Sequence, residues 1–487
     1  MAEKRAQKKP NRNKSKRLMR IILLEVFILL VIFGAYQLFF ANGNKDKNKG
    51  GNNTGVEGTE DPDGGPIDQT VPTVPVEPEL TPEEQEAIKE QERLKKEDQD
   101  RKDLIIKADK LAAGYDYDAA IELIKGYEGT EGGYTVYTSL ISAIAGYEAT
   151  KSTLVLYGGS YDSVTQFNHI FFHSLIADNS KAFDGDSRQA GYNMYMTTIS
   201  EFKKIMQKMY DDGYILISIH DIAKQVTAED GTLKFTAQKI YLPQGKKPFV
   251  LSQDDVNYYE YMVGDGFASR FVIGEDGKPT LEMDLADGTK VIGSYDMVPI
   301  VDDFVEEHPD FSYRGAKGII AETGYEGTLG YRTDDPTSPT YEADKETVKK
   351  IVEACKADGW EFASHSWGHR NMQDATFSLL KTDTNRWLKE VGSLVGPTDI
   401  YIYPYGVDIE TTMGLYSSDK YQILKEKGFN YFCGVYSSPW MHIKNDYVRM
   451  TRRPLDGQAM LQFRERVVDL FDPKLIQDPE RPERDWE

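Results

Sequence analysis

From Leu154 onward, short apolar runs alternate with amphipathic helical patterns, and this alternation limits the fold more than any other feature of the chain. The segment FNHIFFHSLI (167–176) has the pattern of a buried strand, and TTISEFKKIMQKMYDDGY (197–214) has that of an amphipathic helix beginning at a Thr cap. ILISI and KPFVLS are further candidate strands. Strands that alternate with helices favour a parallel α/β sheet or barrel. In such folds, the polar residues that follow the strands are the first candidates for chemistry.

Composition excludes several classes of protein. The chain has 487 residues, about three times the length of a typical domain, so several parts are expected. Its 28% of charged residues exclude a polytopic membrane protein, and its net charge of -21 repels phosphate backbones, so we expect no nucleic-acid partner. The two cysteines, Cys355 and Cys433, are too few for a zinc ribbon or a disulfide framework. A metal would therefore be held by histidines and carboxylates.

A basic arm followed by an apolar segment occupies the N-terminus. Residues 1–20 carry nine Lys/Arg and one acid, and residues 21–41 (IILLEVFILLVIFGAYQLFFA) are interrupted only by Glu25 and Gln37. At ~1.5 Å per residue, the apolar segment makes a helix about 30 Å long, enough to cross a bilayer. The positive-inside rule then predicts a single-pass protein of the cell membrane, with the arm in the cytoplasm and everything after Asn42 outside the cell.

Two other interpretations of the N-terminus remain open. A cleaved secretory signal also begins with a basic arm, but its apolar region is shorter and ends in a small-residue cleavage site. The end of the apolar segment, FFA (39–41), offers no such site. The basic arm as a nucleic-acid binder needs more assumptions than a topology signal does. We therefore favour the uncleaved transmembrane anchor.

Segments of different composition flank the α/β region. Residues 42–80 are rich in Gly, Asn and Pro, cannot bury a core and predict a disordered linker. The sequence TPEE at residue 81 is typical of a helix start, and residues 81–150 predict an α-helical stalk or hairpin, with a packing collar favoured over a peptide-binding groove. Residues 151–472 would then form the α/β domain, and residues 473–487 a C-terminal tail.

Two motifs with the chemistry of a metal site follow predicted strands. Asp254 and Asp255 end the apolar run PFVLSQDDV, and adjacent carboxylates at a strand end repel each other unless a cation is bound. His365 and His369 follow the strand EFAS, and imidazoles four residues apart face one side of a helical turn, where both can bind one ion. Each motif alone arises by chance in loops and surface helices. Together they predict a site with three protein ligands and an open position for water.

The order of these motifs resembles the polysaccharide deacetylase family, the NodB-homology domains of carbohydrate esterase family 4. The resembling motifs are SQDDV (252–256), HSWGH (365–369) and YPYG (403–406), and the similarity extends over residues 154–472. The resemblance implies an α/β fold, a distorted (β/α) barrel of the NodB-homology type. It also implies that the chain removes N-acetyl groups from a polysaccharide.

The same resemblance implies roles for the motif residues. Asp255, His365 and His369 would bind a divalent metal, Zn²⁺ first, with Co²⁺, Ni²⁺ or Mn²⁺ as alternatives, and Asp254 would be the general base. These roles are chemically consistent. A metal held by three ligands lowers the pKa of its bound water toward ~7 and polarises the amide carbonyl, so that a neighbouring carboxylate can accept the proton.

Substrate contacts are expected from four further residues. The resemblance implies that the backbone N–H of Tyr405, on the tight loop that begins at Pro404, stabilises the tetrahedral oxyanion. Trp367, within the histidine motif, is one of several aromatic residues suited to stack on sugar rings, although core packing is its competing role. His173 ends the first strand, where relatives have a histidine that lines the site, and a structural role competes there too.

The chain also departs from the family pattern. Gln253 replaces the usual Phe, and Ile402 stands where the family has the Arg that orients the base. Arg452 or Arg453 would supply that charge from elsewhere, and we take Arg453 as the candidate catalytic arginine. His442 is the one counterpart of the family's general-acid histidine, with packing or a surface position as its competing role.

Residues 266–295, between the two metal motifs, contain two Asp-Gly turn signals. They predict a β-hairpin insertion that either shapes substrate access or shields a barrel edge.

The sequence thus predicts a membrane-anchored, metal-dependent N-deacetylase that acts outside the cytoplasm on peptidoglycan or an N-acetylglucosamine polymer. The alternative is a catalytically weak or inactive deacetylase-like protein that binds glycan or organises envelope partners. A metalloprotease is weakened, because the histidine pair lacks the Glu of His-Glu-x-x-His.

Overall fold

Short parallel strands form the centre of the fold. In the computed structural model, which describes residues 81–157, 167–410, 414–436 and 438–486, each of these strands is a run of mostly buried apolar residues. We number them along the chain as β1 Asn168–Phe172, β2 Tyr214–Leu216, β3 Lys247–Gln253, β4 Ile319–Glu322, β5 Glu361–Ser364, β6 Ile400–Ile402, β7 Tyr431–Val435 and β8 Val448–Pro454.

Seven of these strands close into a barrel. The ring runs β1, β3, β4, β5, β6, β7, β8 and back to β1, with every pairing parallel. One edge of β3 is shared, because β2 pairs with its first half and β4 with its second half, which distorts the ring. Parallel strands bring their carboxyl ends to one rim. The α/β barrel expected from the sequence is therefore confirmed.

Helices cover the outside of the barrel. The helix Ile199–Asp211 begins at a capping box formed by Thr198 and Glu201, and it packs Phe202 and Ile205 against the strands. Ten other helices belong to the domain: Asn179–Ala182, Gln189–Tyr195, Ile219–Ile222, Met297–Glu307, Tyr341–Ala357, Phe377–Glu390, Gly392–Val395, Asp419–Glu426, Gly457–Leu461 and Pro473–Ile476.

Alternate side chains of the strands divide between two hydrophobic cores. Val250, Ala321 and Ala363 face one core, which fills the barrel, while Leu251 and Phe362 face the layer between strands and helices. Both cysteines are free and fully buried.

The predicted helical segment is present and docks on the barrel. It consists of the helices Pro82–Ala113, Tyr117–Lys125 and Thr138–Lys151. Their buried residues share a core with the barrel interior, and the Arg314 N–H donates to the Gly114 carbonyl at 2.7 Å. The first half of the long helix is mostly exposed. None of the helices within residues 81–486 is both long and apolar enough to cross a membrane. The predicted arm (1–20), anchor (21–41) and linker (42–80) lie outside the described residues.

The insertion is a three-stranded antiparallel sheet of Arg270–Ile273, Pro279–Asp284 and Lys290–Gly293. Its two turns contain Gly277 and Gly288 with φ of +79° and +82°, as the Asp-Gly signals predict. Phe271 and Leu281 pack into the outer core, beside the helices Met297–Glu307 and Tyr341–Ala357.

The remaining strands are short antiparallel pairs. They are Glu128–Gly129 with Gly132–Gly133, Val155–Leu156 with Tyr241–Leu242, Ala223–Thr227 with Leu233–Ala237, and Met441–Ile443 with β8.

The segment predicted as a C-terminal tail packs into the domain. Ile476 is buried, and Arg481 forms an ion pair with Glu201 in which both side chains have 0% exposure. Arg481 also donates to the Asn193 carbonyl at 2.8 Å. Its description as a tail is therefore corrected: residues 473–486 complete the outer layer.

Candidate active site

Two aspartates stand where β3 ends at the rim of the barrel. Asp254 is 2% exposed, and its backbone N–H donates to the Phe172 carbonyl of β1 at 2.9 Å. Asp255 follows with φ of +58°, a left-handed conformation that non-glycine residues rarely adopt. The chain therefore turns sharply between them, and both carboxylates line the same cleft.

His365 to His369, which we call the histidine turn, follows β5 on the same rim. It is not helical, so the helical turn expected from the four-residue spacing is wrong. Ser366 and His369 instead have φ of +57° and +46°. Left-handed backbone of this kind costs on the order of 1–3 kcal/mol per residue and persists only where the surroundings enforce it. The two rings nevertheless approach each other, with centroids 5.0 Å apart.

Asp255, His365 and His369 form a cluster suited to a metal. One ligand atom from each lies within 4.8 Å of the others. The Ile402 carbonyl lies 2.9 Å from His365 Nδ1 and can only accept, so Nδ1 carries the proton and Nε2 is left for a metal. Asp255 Oδ1 in turn accepts a hydrogen bond from the Tyr259 hydroxyl at 2.8 Å. One carboxylate and two imidazoles are a donor set that fits a divalent transition metal.

Asp254 is paired with an arginine from β8. The two terminal guanidinium nitrogens of Arg452 donate to Asp254, Nη1 to Oδ1 at 2.7 Å and Nη2 to Oδ2 at 2.9 Å. Arg453 faces the other side of the strand, where it contacts Asp469 and Asn168. The prediction that Arg453 contacts the aspartate is therefore corrected: Arg452 does so, because adjacent residues of a strand face opposite ways.

Burial and charge oppose each other at these groups. Burial raises the pKa of Asp254, but Arg452 and His365 outweigh it and hold that pKa well below its usual range. Burial also raises the pKa of Asp255, but the nearby histidines, mainly His369, outweigh it, so that this pKa is lowered. Burial lowers the pKa of His365 to about 4. The histidine is therefore neutral near pH 7, as a metal ligand must be.

An open cleft of about 490 Å³ lies above these residues. Two of the predicted substrate contacts line it, namely His173 and Tyr405. Tyr405 is 66% exposed, has φ of +58°, and its ring centroid lies 4.4 Å from that of His369. Pro404 is buried beneath it at the start of a short 3₁₀ turn.

Two predicted site residues lie elsewhere. Neither His442 nor Trp367 is among the described residues that line the cleft. His442 packs on Trp440, with ring centroids 4.9 Å apart, on the strand Met441–Ile443. The Trp367 indole donates to Glu390 at 2.7 Å on the outer side of the histidine turn. The contacts described for both residues are thus packing and hydrogen-bond contacts away from the cleft.

A polar network that the sequence did not reveal lies beneath the aspartates. The Gln253 amide donates to Asp296 Oδ1 at 2.8 Å, and Asp296 also accepts from the Leu175 N–H at 3.0 Å and the Tyr258 hydroxyl at 2.8 Å. Burial raises the pKa of Asp296 to about 6, although these hydrogen-bond donors lower it. Gln253 is a departure from the family pattern in the sequence, but nothing in the sequence indicates that Asp296, 43 residues away, is its partner.

A known family matches the part of the chain that contains the histidine turn. Residues 331–432 match the family model for polysaccharide deacetylase. The chain contains a polysaccharide deacetylase domain. The matched residues of this deacetylase domain include His365, His369 and Tyr405, while Asp254 and Asp255 precede them. The enzyme class predicted from the sequence, a polysaccharide N-deacetylase, is confirmed by this match.

Solved structures similar to this chain include proteins from three organisms. The deacetylase PplD of Streptococcus pyogenes, in complex with acetate, is 12% identical, with 61% of this chain and 97% of PplD covered and a TM-score of 0.33. BA0330 of Bacillus anthracis, assigned as a polysaccharide deacetylase, is 13% identical, with 60% and 66% covered and a TM-score of 0.30. A Mycobacterium smegmatis protein with the same assignment is 18% identical, with 33% and 45% covered and a TM-score of 0.21. No curated protein matches the chain.

Proposed function

We propose that the chain is a metal-dependent N-deacetylase of an extracytoplasmic polysaccharide, with peptidoglycan as the first candidate substrate and an N-acetylglucosamine polymer as the second. The observation that carries this proposal is the convergence of three metal-type ligands and a buried, arginine-paired aspartate on one open cleft. A carboxylate base beside a divalent metal suits the hydrolysis of an unactivated amide. The family match supports the same reaction.

Asp255, His365 and His369 would hold the metal. Their donor atoms fit Zn²⁺ best, with Co²⁺, Ni²⁺ and Mn²⁺ as alternatives. A metal bound there would polarise the acetyl carbonyl and make a water molecule more acidic.

Asp254 accepts the proton of the attacking water in this mechanism. One of its oxygens lies 3.9 Å from His365 Nε2, so the base stands beside the proposed metal ligands. Arg452 donates one hydrogen bond to each oxygen of Asp254, and this pairing fixes the orientation of the carboxylate and keeps it ionised. An ionised, oriented carboxylate can accept a proton, and a metal at the neighbouring ligands would make the water acidic enough for a base of lowered pKa.

His173 is our candidate for the general acid, in place of His442. It lines the same cleft as Asp254, and its Nδ1 lies 3.2 Å from the Tyr195 carbonyl, so Nδ1–H donates to that carbonyl and Nε2 is left to pass a proton to the departing nitrogen. The departing amine needs a proton from such a group. Water adds its hydroxyl to the acetyl carbon, the C–N bond breaks, and acetate and a protonated amine are released.

Tyr405 would contribute in two ways at the mouth of the cleft. Its backbone N–H is the candidate donor to the oxyanion, and its exposed ring offers a surface on which a sugar can stack. The tight turn is needed for this placement. A Cβ at Gly406, the next residue, would lie 2.3 Å from Cβ of Val435, so the loop packs closely on β7.

The proposed location rests on the N-terminal sequence. The basic arm, the apolar segment 21–41 and the linker 42–80 would tether the domain outside the membrane, and the length of the linker would set its reach into the envelope. Membrane fractionation of cells that express the full chain tests this, with recovery in the soluble fraction as the contrary result.

Acetate release tests the reaction. The wild-type chain with saturating Zn²⁺ is expected to release acetate from N-acetylated peptidoglycan or from N-acetylglucosamine oligomers. Asp254→Asn should keep the metal and lose the activity. Asp302→Asn is a matched control, because Asp302 is also buried and paired with a cation, Lys317, but on the outer side of the barrel. Bound metal without acetate from any glycan would favour a glycan-binding protein. Undiminished release by Asp254→Asn would refute the assignment of the base.

A further inference from the structure

One buried carboxylate lies directly behind the histidine turn. Asp383, on the helix Phe377–Glu390, is 6% exposed and accepts two backbone hydrogen bonds, one at each oxygen. The Trp367 N–H donates to Oδ1 at 2.7 Å, and the Gly368 N–H donates to Oδ2 at 2.8 Å. These two peptide groups stand between the two histidines in sequence. Asp383 therefore holds the middle of the turn, together with the backbone N–H groups of Gly324 and Tyr325, which donate to the Trp367 carbonyl at 2.9 and 3.1 Å.

The same helix face also holds the start of the turn. Trp387 comes four residues after Asp383, so the two side chains share a face. Its indole N–H donates to the Glu322 carbonyl at 2.8 Å. That carbonyl also accepts the backbone N–H of His365 at 2.9 Å. The histidine turn is thus fixed at two points by one helix that packs on the outside of the barrel.

The conformation of the turn makes such support necessary. Ser366 and His369 are both left-handed, and neither is a glycine. Gly368 packs tightly, since a Cβ built there would lie 3.2 Å from Asp383 Oδ2. The two hydrogen bonds from Asp383 oppose the relaxation of these strained angles. They thereby help to keep His369 beside Asp255, whose carboxylate lies 3.7 Å from His369 Nε2.

We propose that Asp383 is a positioning residue for the metal site, which holds His365 and His369 in the arrangement that binds the metal before the metal arrives. The inference rests on the proposed metal dependence of the enzyme. Among the described residues, Asp383 is not one that lines the cleft, and its hydrogen bonds to the turn are to backbone N–H groups, so it acts through the backbone of the turn. Groups that orient metal ligands in this way commonly change metal affinity 10- to 100-fold when they are removed.

Metal titration of the full-length chain tests the proposal. The metal-free protein, purified in detergent, is titrated with Co²⁺, whose visible absorption reports the geometry of its ligands. Asp383→Asn should bind Co²⁺ about 10- to 100-fold more weakly than wild type. At saturating metal, this loss of affinity reduces the stabilisation of the folded protein by the metal by about 1.4 to 2.7 kcal/mol. Asp383→Glu, which keeps both acceptor oxygens, should recover most of the affinity and the wild-type spectrum.

Glu410→Gln is the matched control. One oxygen of Glu410 accepts the backbone N–H groups of Ser417 and Ser418 at 2.9 and 2.8 Å, and Glu410 does not line the cleft among the described residues. This variant should bind Co²⁺ as wild type does, because it exchanges carboxylate for amide at a similar pair of backbone hydrogen bonds that lies away from the metal ligands.

The outcomes separate this inference from the proposed function. If wild type binds no Co²⁺, the proposed metal dependence fails. If wild type binds and Asp383→Asn binds equally well, only the role of Asp383 fails. Should Asp383→Asn not fold, amide hydrogen exchange in metal-free wild type decides. Slow exchange at Trp367 and Gly368 supports a turn formed in advance, and fast exchange at both overturns it.

Discussion

Arg452→Met breaks the ion pair beneath the proposed base while keeping an unbranched side chain of similar reach. The guanidinium and the Asp254 carboxylate are 0% and 4% exposed, so little water reaches them to replace the lost hydrogen bonds. Removing one partner of such a buried pair costs about 3–5 kcal/mol, because the other charge stays buried without compensation. We expect this loss in the free energy of unfolding of the metal-free protein, measured by urea denaturation at pH 7.

The pH dependence of the loss gives a sharper test. In wild type the pKa of Asp254 is lowered in the folded state, so its contribution to stability is present above the unfolded pKa of about 3.9 and is lost as pH falls below it. Without Arg452, burial dominates and raises the folded pKa of Asp254. Stability is then lost as pH rises above about 4, where the buried carboxyl must ionise. The difference between variant and wild type should therefore grow from pH 4 to pH 8.

Two further variants complete this experiment. Arg452→Met combined with Asp254→Asn should cost less than Arg452→Met alone, because no charge is left buried. Arg453→Met is the neighbouring control, and it should cost less and leave the pH dependence unchanged, since its partner Asp469 is 58% exposed. A loss for Arg452→Met that is the same at pH 4 and pH 8 would refute the reasoning.

Three other parts of the domain give predictions. Tyr259→Phe removes the hydrogen bond to a proposed metal ligand and should weaken Zn²⁺ binding about 10- to 100-fold in calorimetric titrations, and unchanged affinity would contradict this. Burial lowers the pKa of His220, but two carboxylates outweigh it and raise that pKa to about 10, so its contribution to stability is full below pH 6.5 and lost as pH rises toward 10. Melting temperatures of wild type and His220→Gln should therefore converge at pH 10.5, and a constant gap would contradict the pairing. Arg481→Met leaves Glu201 buried and unpaired and should lower the free energy of unfolding by about 3–5 kcal/mol, with an unchanged urea midpoint as the contrary result.

Spacing along the chain was enough to predict the centre of the site. Asp254, Asp255, His365 and His369 each follow an apolar run, and parallel strands bring their carboxyl ends to one rim. The cluster therefore followed from the order of strands without knowledge of any side-chain contact. The backbone conformation of the histidine turn could not be predicted from the sequence. Two histidines four residues apart can approach each other in a turn with left-handed residues as well as in a helix.

Contacts between distant segments could not be predicted in the same way. Arg452 and Arg453 differ only in the side of β8 that they face, and a register shift of one residue would exchange them. His442 and Trp367 carry the right chemistry, but their neighbours in space come from other elements. Asp383 belongs to an amphipathic helix, whose periodicity indicates a buried face but not a polar partner on it.

The ion pair between Arg481 and Glu201 joins residues 280 positions apart. A ribosome adds about 5–20 residues per second, so roughly 14 to 56 seconds separate the synthesis of the two partners. The barrel is complete only once β8 has emerged, and from then until Arg481 follows, a helix Ile199–Asp211 packed on it would bury an unmatched charge. Glu201 is therefore expected to stay hydrated or chaperone-bound, and the outer layer to settle only after Arg481 has emerged.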